Sequence, residues 1–377
     1  MKSLFYISKS KLPSTAANSV HVMKMCQAFS RQGITVELSA IRPRKHDLVD
    51  FGVIFSEYAV EPKFDLHLFG FPNLPARTEF HILSSLKKAR NIGSDVIYTR
   101  IPRAAVLGEL LGWPSVIELH HPGSYATLKA YLRIARRPII VVITDTLRKR
   151  IIADLNCDPN SIIVAPDGAD PMPIGVQSLL PASPEGRLRV GYLGHLYKGK
   201  GMELISLIAP HCPWADFEIV GGTQDDIAMW KSYIGGLPNV RFHGHVPHSM
   251  TPGYLSGFDV ALLPNQGFVG VSVGSNLNIS RWTSPLKAFE YMSAGLPIIA
   301  SDQPNLREVL SHNVNGLLCP ASDAEAWCKA LELLRASPEL RSRLGQNALE
   351  IFTREYSWDA RARKLVTAVE LRLAAEK

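Results

Sequence analysis

The stretch that decides the fold is Trp282-Thr-Ser-Pro-Leu-Lys-Ala-Phe-Glu-Tyr-Met-Ser-Ala-Gly-Leu-Pro-Ile-Ile-Ala-Ser301. Ser284 is a good helix cap, and Pro285 suits the first helical position, where its missing N–H leaves nothing unsatisfied. Leu286, Phe289 and Met292 recur at helical spacing and give one apolar face. Gly295 and Pro297 end the helix, and Ile298-Ile299-Ala300 reads as a short buried strand. Two charges sit oddly on this helix. Lys287 lies in the first turn, where the helix dipole disfavours a cation, and Glu290 follows three residues on, on the same side. A surface ion pair would account for both. The helix opens directly after a loop, however, so Lys287 and the unpaired backbone N–H groups there suit a phosphate, and Glu290 suits the hydroxyls of a sugar. Ser284 and Leu286, at the same helix start, join them as candidate ligand-binding residues.

Outward from this helix, the chain alternates strands and helices. Leu4–Ile7 reads as a strand, Ser8–Ala17 as a polar loop, and Val20, Met23, Ala28 and Phe29 mark a helix ending at Gly33 before a strand over Ile34–Leu38. Such a unit implies a right-handed crossover and a parallel sheet. Residues 42–76 carry no clean period and read as loops. Further strands are expected at 95–100, 116–119, 139–143 and 162–165, then a proline-rich linker over 171–184. The second half repeats the grammar: strands at 189–193, 217–220, 240–242 and 259–263, and a helix over Met202–Ile208. From Trp327 onward the chain reads as helical, with Leu365, Val366, Val369 and Leu373 giving an amphipathic ending.

Two further constellations carry chemistry. Gly194-His-Leu-Tyr-Lys-Gly-Lys-Gly201 lies between a strand and a helix; its glycines let backbone approach a phosphate, and His195, Lys198 and Lys200 supply donors. It matches neither a dinucleotide fingerprint nor a Walker loop. Glu118-Leu-His-His-Pro122 ends a strand, where ligands of open α/β sheets collect, as does Arg100. A lone histidine there is more often structural than functional.

These motifs resemble the retaining, nucleotide-sugar-dependent glycosyltransferases of family 4, which have the GT-B fold. The family's Glu-x7-Glu motif grips the donor ribose with its second Glu, the position of Glu290; the first falls on Trp282, so that acid is absent. Asp167-Gly-Ala-Asp170 resembles the family's Asn-Gly-Val-Asp turn. In the family an Arg and a Lys of the loop after the first strand of the second domain hold the donor diphosphate; Lys200 matches the Lys, and His195 occupies the Arg position. A family histidine near the reacting carbon is matched best by His120, with His121 as the competing assignment. The resemblance implies His120, Lys200 and His195 as catalytic residues. It also implies Glu290, Lys287, Lys200, His195, Ser284 and Leu286 as donor-binding residues.

The totals agree. A chain of 377 residues, 46% hydrophobic and 20% charged, is globular and too long for one ordinary core. A net charge of +7 and a pI near 9.1 fit anionic partners: a nucleotide or a phospholipid surface. Nucleic acid is disfavoured, because no basic stripe interleaved with aromatics appears. Five scattered cysteines without a Cys-x-x-Cys pair suggest a reducing compartment, and the apolar start is too short for a signal peptide.

The expectation is therefore an α/β protein of GT-B architecture: two Rossmann-like domains, 1–175 and 176–355, with a cleft between them, and a last helix, 356–377, returning to the first. It would be a cytoplasmic glycosyltransferase, with peripheral contact to anionic membrane as part of the expectation. It would move a sugar from a nucleotide-diphosphate sugar to a sugar or lipid-linked glycan acceptor in bacterial polysaccharide, lipopolysaccharide or glycolipid synthesis. No cofactor is expected, and no metal, since no Asp-x-Asp motif or metal-spaced cluster is seen. The rivals are a sugar-nucleotide epimerase of the same fold and a non-catalytic sugar-nucleotide-binding protein.

Overall fold

Short runs of Val, Ile, Leu and Tyr, apolar on both faces, form the strands of two parallel sheets, the pattern expected where helices cover both sides. The computed structural model describes residues 1–14, 16–43, 50–70, 76–267, 284 and 286–374. By contact they form two units, Met1–Pro166 with Trp358–Lys377, and Asp167–Ser357.

In the first unit the described strands are β1 (Ser3–Lys11), β2 (Thr35–Ile41), β3 (Asp65–Phe69), β4 (Val96–Thr99), β5 (Ser115–Leu119), β6 (Ile139–Val142) and β7 (Ile162–Val164). They pair in the order β3-β2-β1-β4-β5-β6-β7, all parallel. The order reverses between β1 and β4, the switch point where such sheets gather ligands. Two details depart from expectation. β1 continues past Ile7 to Lys11, because Ser8 and Ser10 are buried and satisfy each other, hydroxyl to hydroxyl at 2.9 Å. The stretch 42–76, read as loops, contains a helix (Phe51–Glu57) and the edge strand β3, whose alternation is too short and polar to register alone.

The last helix (Trp358–Ala374) packs on the first (Ala17–Arg31). Its Trp358 ring meets His21 of the first helix at 5.3 Å, and Leu365 and Val369 are buried along the same last helix, each large apolar side chain fully buried being worth about 1.5–3 kcal/mol. The rim pairs Arg31–Asp359 (3.4 Å) and the Met1 ammonium with Glu370 (3.0 Å) add little in water.

The second unit holds β8 (Leu188–Leu193), β9 (Ala215–Val220), β10 (Val240–Gly244), β11 (Val260–Leu263), β12 (Ile298–Ser301) and β13 (Leu317–Cys319), in the order β10-β9-β8-β11-β12-β13. β11 shows why the fold is two-sided: Val260 and Leu262 enter one core with Tyr192, Phe217 and Trp327, while Ala261 and Leu263 enter another with Phe289, Tyr291 and Met292. The proline-rich stretch 171–184, read as a linker, is fastened to this unit: Leu179 N–H donates to Gly253 O at 2.8 Å, and Leu180 is buried. Asp167 and Ala169 are tied in too, their N–H groups donating to Ser284 Oγ (3.1 Å) and Tyr356 O (3.1 Å).

Candidate functional site

In the second sheet the order reverses between β8 and β11, and the chain leaving each strand meets the other at that point. Gly201, at φ 109°, makes the meeting possible: a Cβ there would lie 2.2 Å from Pro264 Cγ, just past β11. Gly194, at φ 140°, receives the Lys287 side chain, since a Cβ would sit 2.8 Å from its Nζ. Two glycines thus admit the loop and the lysine to the same edge of the sheet.

The helix Leu286–Ser293 is clipped to β8 by Tyr291, whose hydroxyl accepts the Leu193 N–H at 2.8 Å. Tyr192, the preceding β8 residue, then positions the ammonium. Lys287 Nζ donates to Tyr192 Oη at 3.0 Å and lies 4.2 Å from the ring centroid, a cation–π contact. The same hydroxyl donates to His195 O at 2.6 Å, so one phenol links the lysine to the loop. Lys200 Nζ lies 5.4 Å from the Tyr197 ring, against which the His195 ring stacks at 5.3 Å. Gly199 N–H donates to Glu203 Oε1 at 3.0 Å and fixes the turn.

The electrostatics follow first from burial and then, for Lys287 and His195, from neighbouring cations. Burial lowers Lys200 to about 8 from the usual 10.5. Lys287 is pushed well below its usual range by burial and then by the charge of Lys200, with Glu290 acting the other way. His195 is lowered by burial, Lys200, Lys287 and His245, against Asp226, so its imidazole is neutral near pH 7. Among the described residues neither lysine has a carboxylate within ion-pair distance. Two lysine side chains are thus crowded at this edge with no carboxylate at ion-pair distance among the described residues, an arrangement that suits a polyanion.

Glu290, one helical turn on from Lys287 and half-buried, lies 3.6 Å from His248 Nδ1. Lys287 turns to Tyr192 and Gly194, so the surface ion pair considered for these two residues does not describe them. Ser284 is buried and its Oγ receives the Asp167 N–H; Leu286 is half-buried at the helix start. Trp282 and Pro285 lie outside the described residues.

Five of the expected site residues therefore converge on the carboxyl edge of the second sheet or the helix beside it: Lys200, His195, Lys287, Glu290 and Leu286. Ser284 fastens the chain there. His120 belongs to the first unit, half-buried at the end of β5, with its Nε2 2.6 Å from Glu118 Oε1. His121 instead closes a turn, its Nδ1 accepting the Gly123 N–H at 3.1 Å. Residue-by-residue reading missed Tyr192, Tyr291 and Glu203. Tyrosines inside a buried strand and helix look like core until their hydroxyls are followed. It also gave Glu118 no role, although a carboxylate inside the run Val116-Ile-Glu-Leu119 was a visible anomaly.

Two units, each with a parallel sheet and an order reversal, and a last helix that returns to the first unit, make this a GT-B fold. The Anabaena protein HepE, solved in complex with UDP, superimposes over 98% of this chain and 100% of its own, with a TM-score of 0.69 at 17% identity. Residues 187–337, most of the second unit, match the family model described as "Glycosyl transferases group 1". The phosphatidyl-myo-inositol mannosyltransferase of Mycobacterium leprae is 25% identical over 312 residues, 74% of this chain and 78% of that protein. The amylovoran biosynthesis glycosyltransferase AmsK of Erwinia amylovora is 28% identical over 217 residues, 55% of this chain and half of that protein's length. The likeness to group 1 glycosyltransferases thus covers residues 187–337 by the family model, and a longer part of the chain in the Mycobacterium leprae relative. Among the described residues no helix is long and apolar enough to cross a membrane.

Proposed function

We propose that this protein transfers a sugar from a nucleoside-diphosphate sugar to an acceptor hydroxyl, with retention of configuration and without a metal ion, in the manner of family 4. The observation that carries the reading is the pair Lys200 and Lys287, two ammonium groups on the Gly194–Gly201 edge without a carboxylate partner among the described residues. A diphosphate supplies the missing negative charge, and the two lysines then stabilise it as it departs. Neutral His195 donates a hydrogen bond rather than charge. Glu290 takes the ribose hydroxyls, Ser284 and Leu286 shape the start of the helix, and His120 serves the transfer step. The reaction breaks the bond from the anomeric carbon to the diphosphate and forms one to the acceptor oxygen, whose proton is released. The named relatives act in phosphatidyl-inositol mannosylation and amylovoran synthesis, which favours a glycolipid or polysaccharide acceptor.

The test is nucleotide release from UDP-, GDP- and ADP-sugars in the presence and absence of acceptor lipids and glycans, in EDTA. Acceptor-dependent release that survives chelation is expected, with the product anomer matching the donor. A complete, metal-reversible loss would overturn the metal-free mechanism. Conversion of the donor sugar without any acceptor would point to an epimerase instead.

Lys200 adds a pH signature. Its ammonium is present below about pH 8 and is lost above it, and an anionic donor binds the protonated form. Donor affinity should weaken as pH rises through about 8, Lys200 contributing up to about tenfold per pH unit until the complex too loses the proton, in addition to the loss from Lys287, whose charged form is disfavoured as well. Lys200→Arg should make this profile shallower around pH 8, which titration calorimetry at several pH values would read. A profile equally steep in Lys200→Arg would remove Lys200 from the phosphate site.

A further inference from the structure

His120 stands against a buried polar cluster of the first unit whose other members have no role in the proposed chemistry. Glu118 sits in the middle of an apolar strand and is fully buried. Its Oε1 lies 2.6 Å from His120 Nε2 and 2.7 Å from His21 Nε2. Its Oε2 accepts the Tyr98 hydroxyl and lies 3.3 Å from Arg361 Nη2, on the last helix. Arg361, also buried, braces itself by donating from Nε to Pro166 O at 2.8 Å. The His21 ring meets His120 edge-on at 4.9 Å and Trp358 at 5.3 Å, so neither imidazole can turn freely. Burial pushes the Glu118 pKa up, but Arg361, His21 and the hydrogen bond from His120 outweigh it and hold the carboxyl well below its usual range. An ionised carboxylate only accepts hydrogen bonds, so the His120 nitrogen that faces it must carry a proton.

We propose that Glu118 is a positioning residue for His120, fixing its ring as the Nε2–H form with Arg361 of the last helix as the counter-ion. In the neutral ring this puts the lone pair on Nδ1, the nitrogen turned from the carboxylate, and makes His120 the better acceptor for a donor or acceptor hydroxyl. It also gives the returning helix a second role, since Arg361 is what lets a carboxylate stay charged inside the strand. His21, Glu118 and His120 stand close enough together to hold a metal ion. Arg361 already balances the single carboxylate, however, and a divalent ion would leave buried positive charge in excess.

The role in transfer rests on the proposed function; the state of the ring does not. Long-range proton–nitrogen NMR of the histidine rings in the full chain, with His120 assigned by its loss in His120→Gln, should show Nε2 protonated near pH 7. Glu118→Gln should redistribute that proton between the two nitrogens. An Nδ1–H ring in the wild type overturns the proposal even if the variant does not fold. In turnover, Glu118→Gln should lower kcat by about tenfold or more with donor KM little changed. Combined with His120→Gln it should cost no more than His120→Gln alone, because the two act as one unit. Additive losses would mean a merely structural carboxylate. Stoichiometric zinc uptake from zinc chloride by the wild type, abolished in Glu118→Gln, would replace the proposal with a metal site. A wild type that transfers no sugar sinks the proposed function, while the NMR result still decides whether Glu118 sets the ring.

Discussion

Lys287→Met is expected to lower kcat/KM for the sugar nucleotide by about two to three decades while the melting temperature stays level or rises. The two halves of this result have one cause. The ammonium is held over the Tyr192 ring and against Gly194, beside Lys200, with a pKa well below its usual range. A cation confined in this way is disfavoured in the folded protein, and under the proposed function it is kept there for the diphosphate. Methionine keeps the stem that fills the space along Gly194 and drops the charge together with the hydrogen bond to Tyr192 Oη. Removing one preorganised donor from developing negative charge typically lowers turnover by about a hundredfold to a thousandfold. Steady-state kinetics beside thermal melts read both quantities. If Lys287 serves only to pack its stem on Tyr192, Met should retain turnover within about threefold, and the diphosphate assignment is lost.

Glu290→Gln should weaken nucleoside monophosphate and sugar nucleotide alike, by about one to two decades. Charge-assisted hydrogen bonds are worth roughly 1.5–3 kcal/mol, and both ligands carry the ribose. The loss should contrast with that of Lys287→Met, which spares the nucleoside and falls on the diphosphate. His248, 3.6 Å away, is a half-exposed neighbour, and His248→Ala should change affinity much less. Calorimetric titration with UMP and with the sugar nucleotide separates the cases. Unchanged affinity for both in folded Glu290→Gln would end the ribose assignment.

Much of the second unit is legible in the chain because its signals are local. The helix after Ser284 announces itself by apolar spacing, its end by Gly295 and Pro297, and the loop Gly194–Gly201 by glycines that the structure shows in contact with Pro264 and Lys287. The placement of Lys287 in a first turn was a local anomaly, and it proved to mark a lysine turned toward the β8 edge. What escaped reading depends on partners far along the chain. Tyr192 and Tyr291 are ordinary core residues until one hydroxyl receives Lys287 and the other the Leu193 N–H. Glu118 gains its meaning only when Arg361, far away on the last helix, reaches it. β3 and β13 are short strands with weak alternation, placed by the sheets they extend, and periodicity alone does not find such edges.

The claim that the second unit holds a nucleoside-diphosphate sugar is tested most directly by calorimetric titration of UDP-, GDP- and ADP-sugars into the full chain in EDTA. One donor class should bind saturably at one site per chain, and Lys287→Met should weaken that binding far more than it weakens binding of the nucleoside. Absence of saturable binding by every nucleotide sugar up to millimolar concentration, or binding that appears only with a divalent metal, would contradict it.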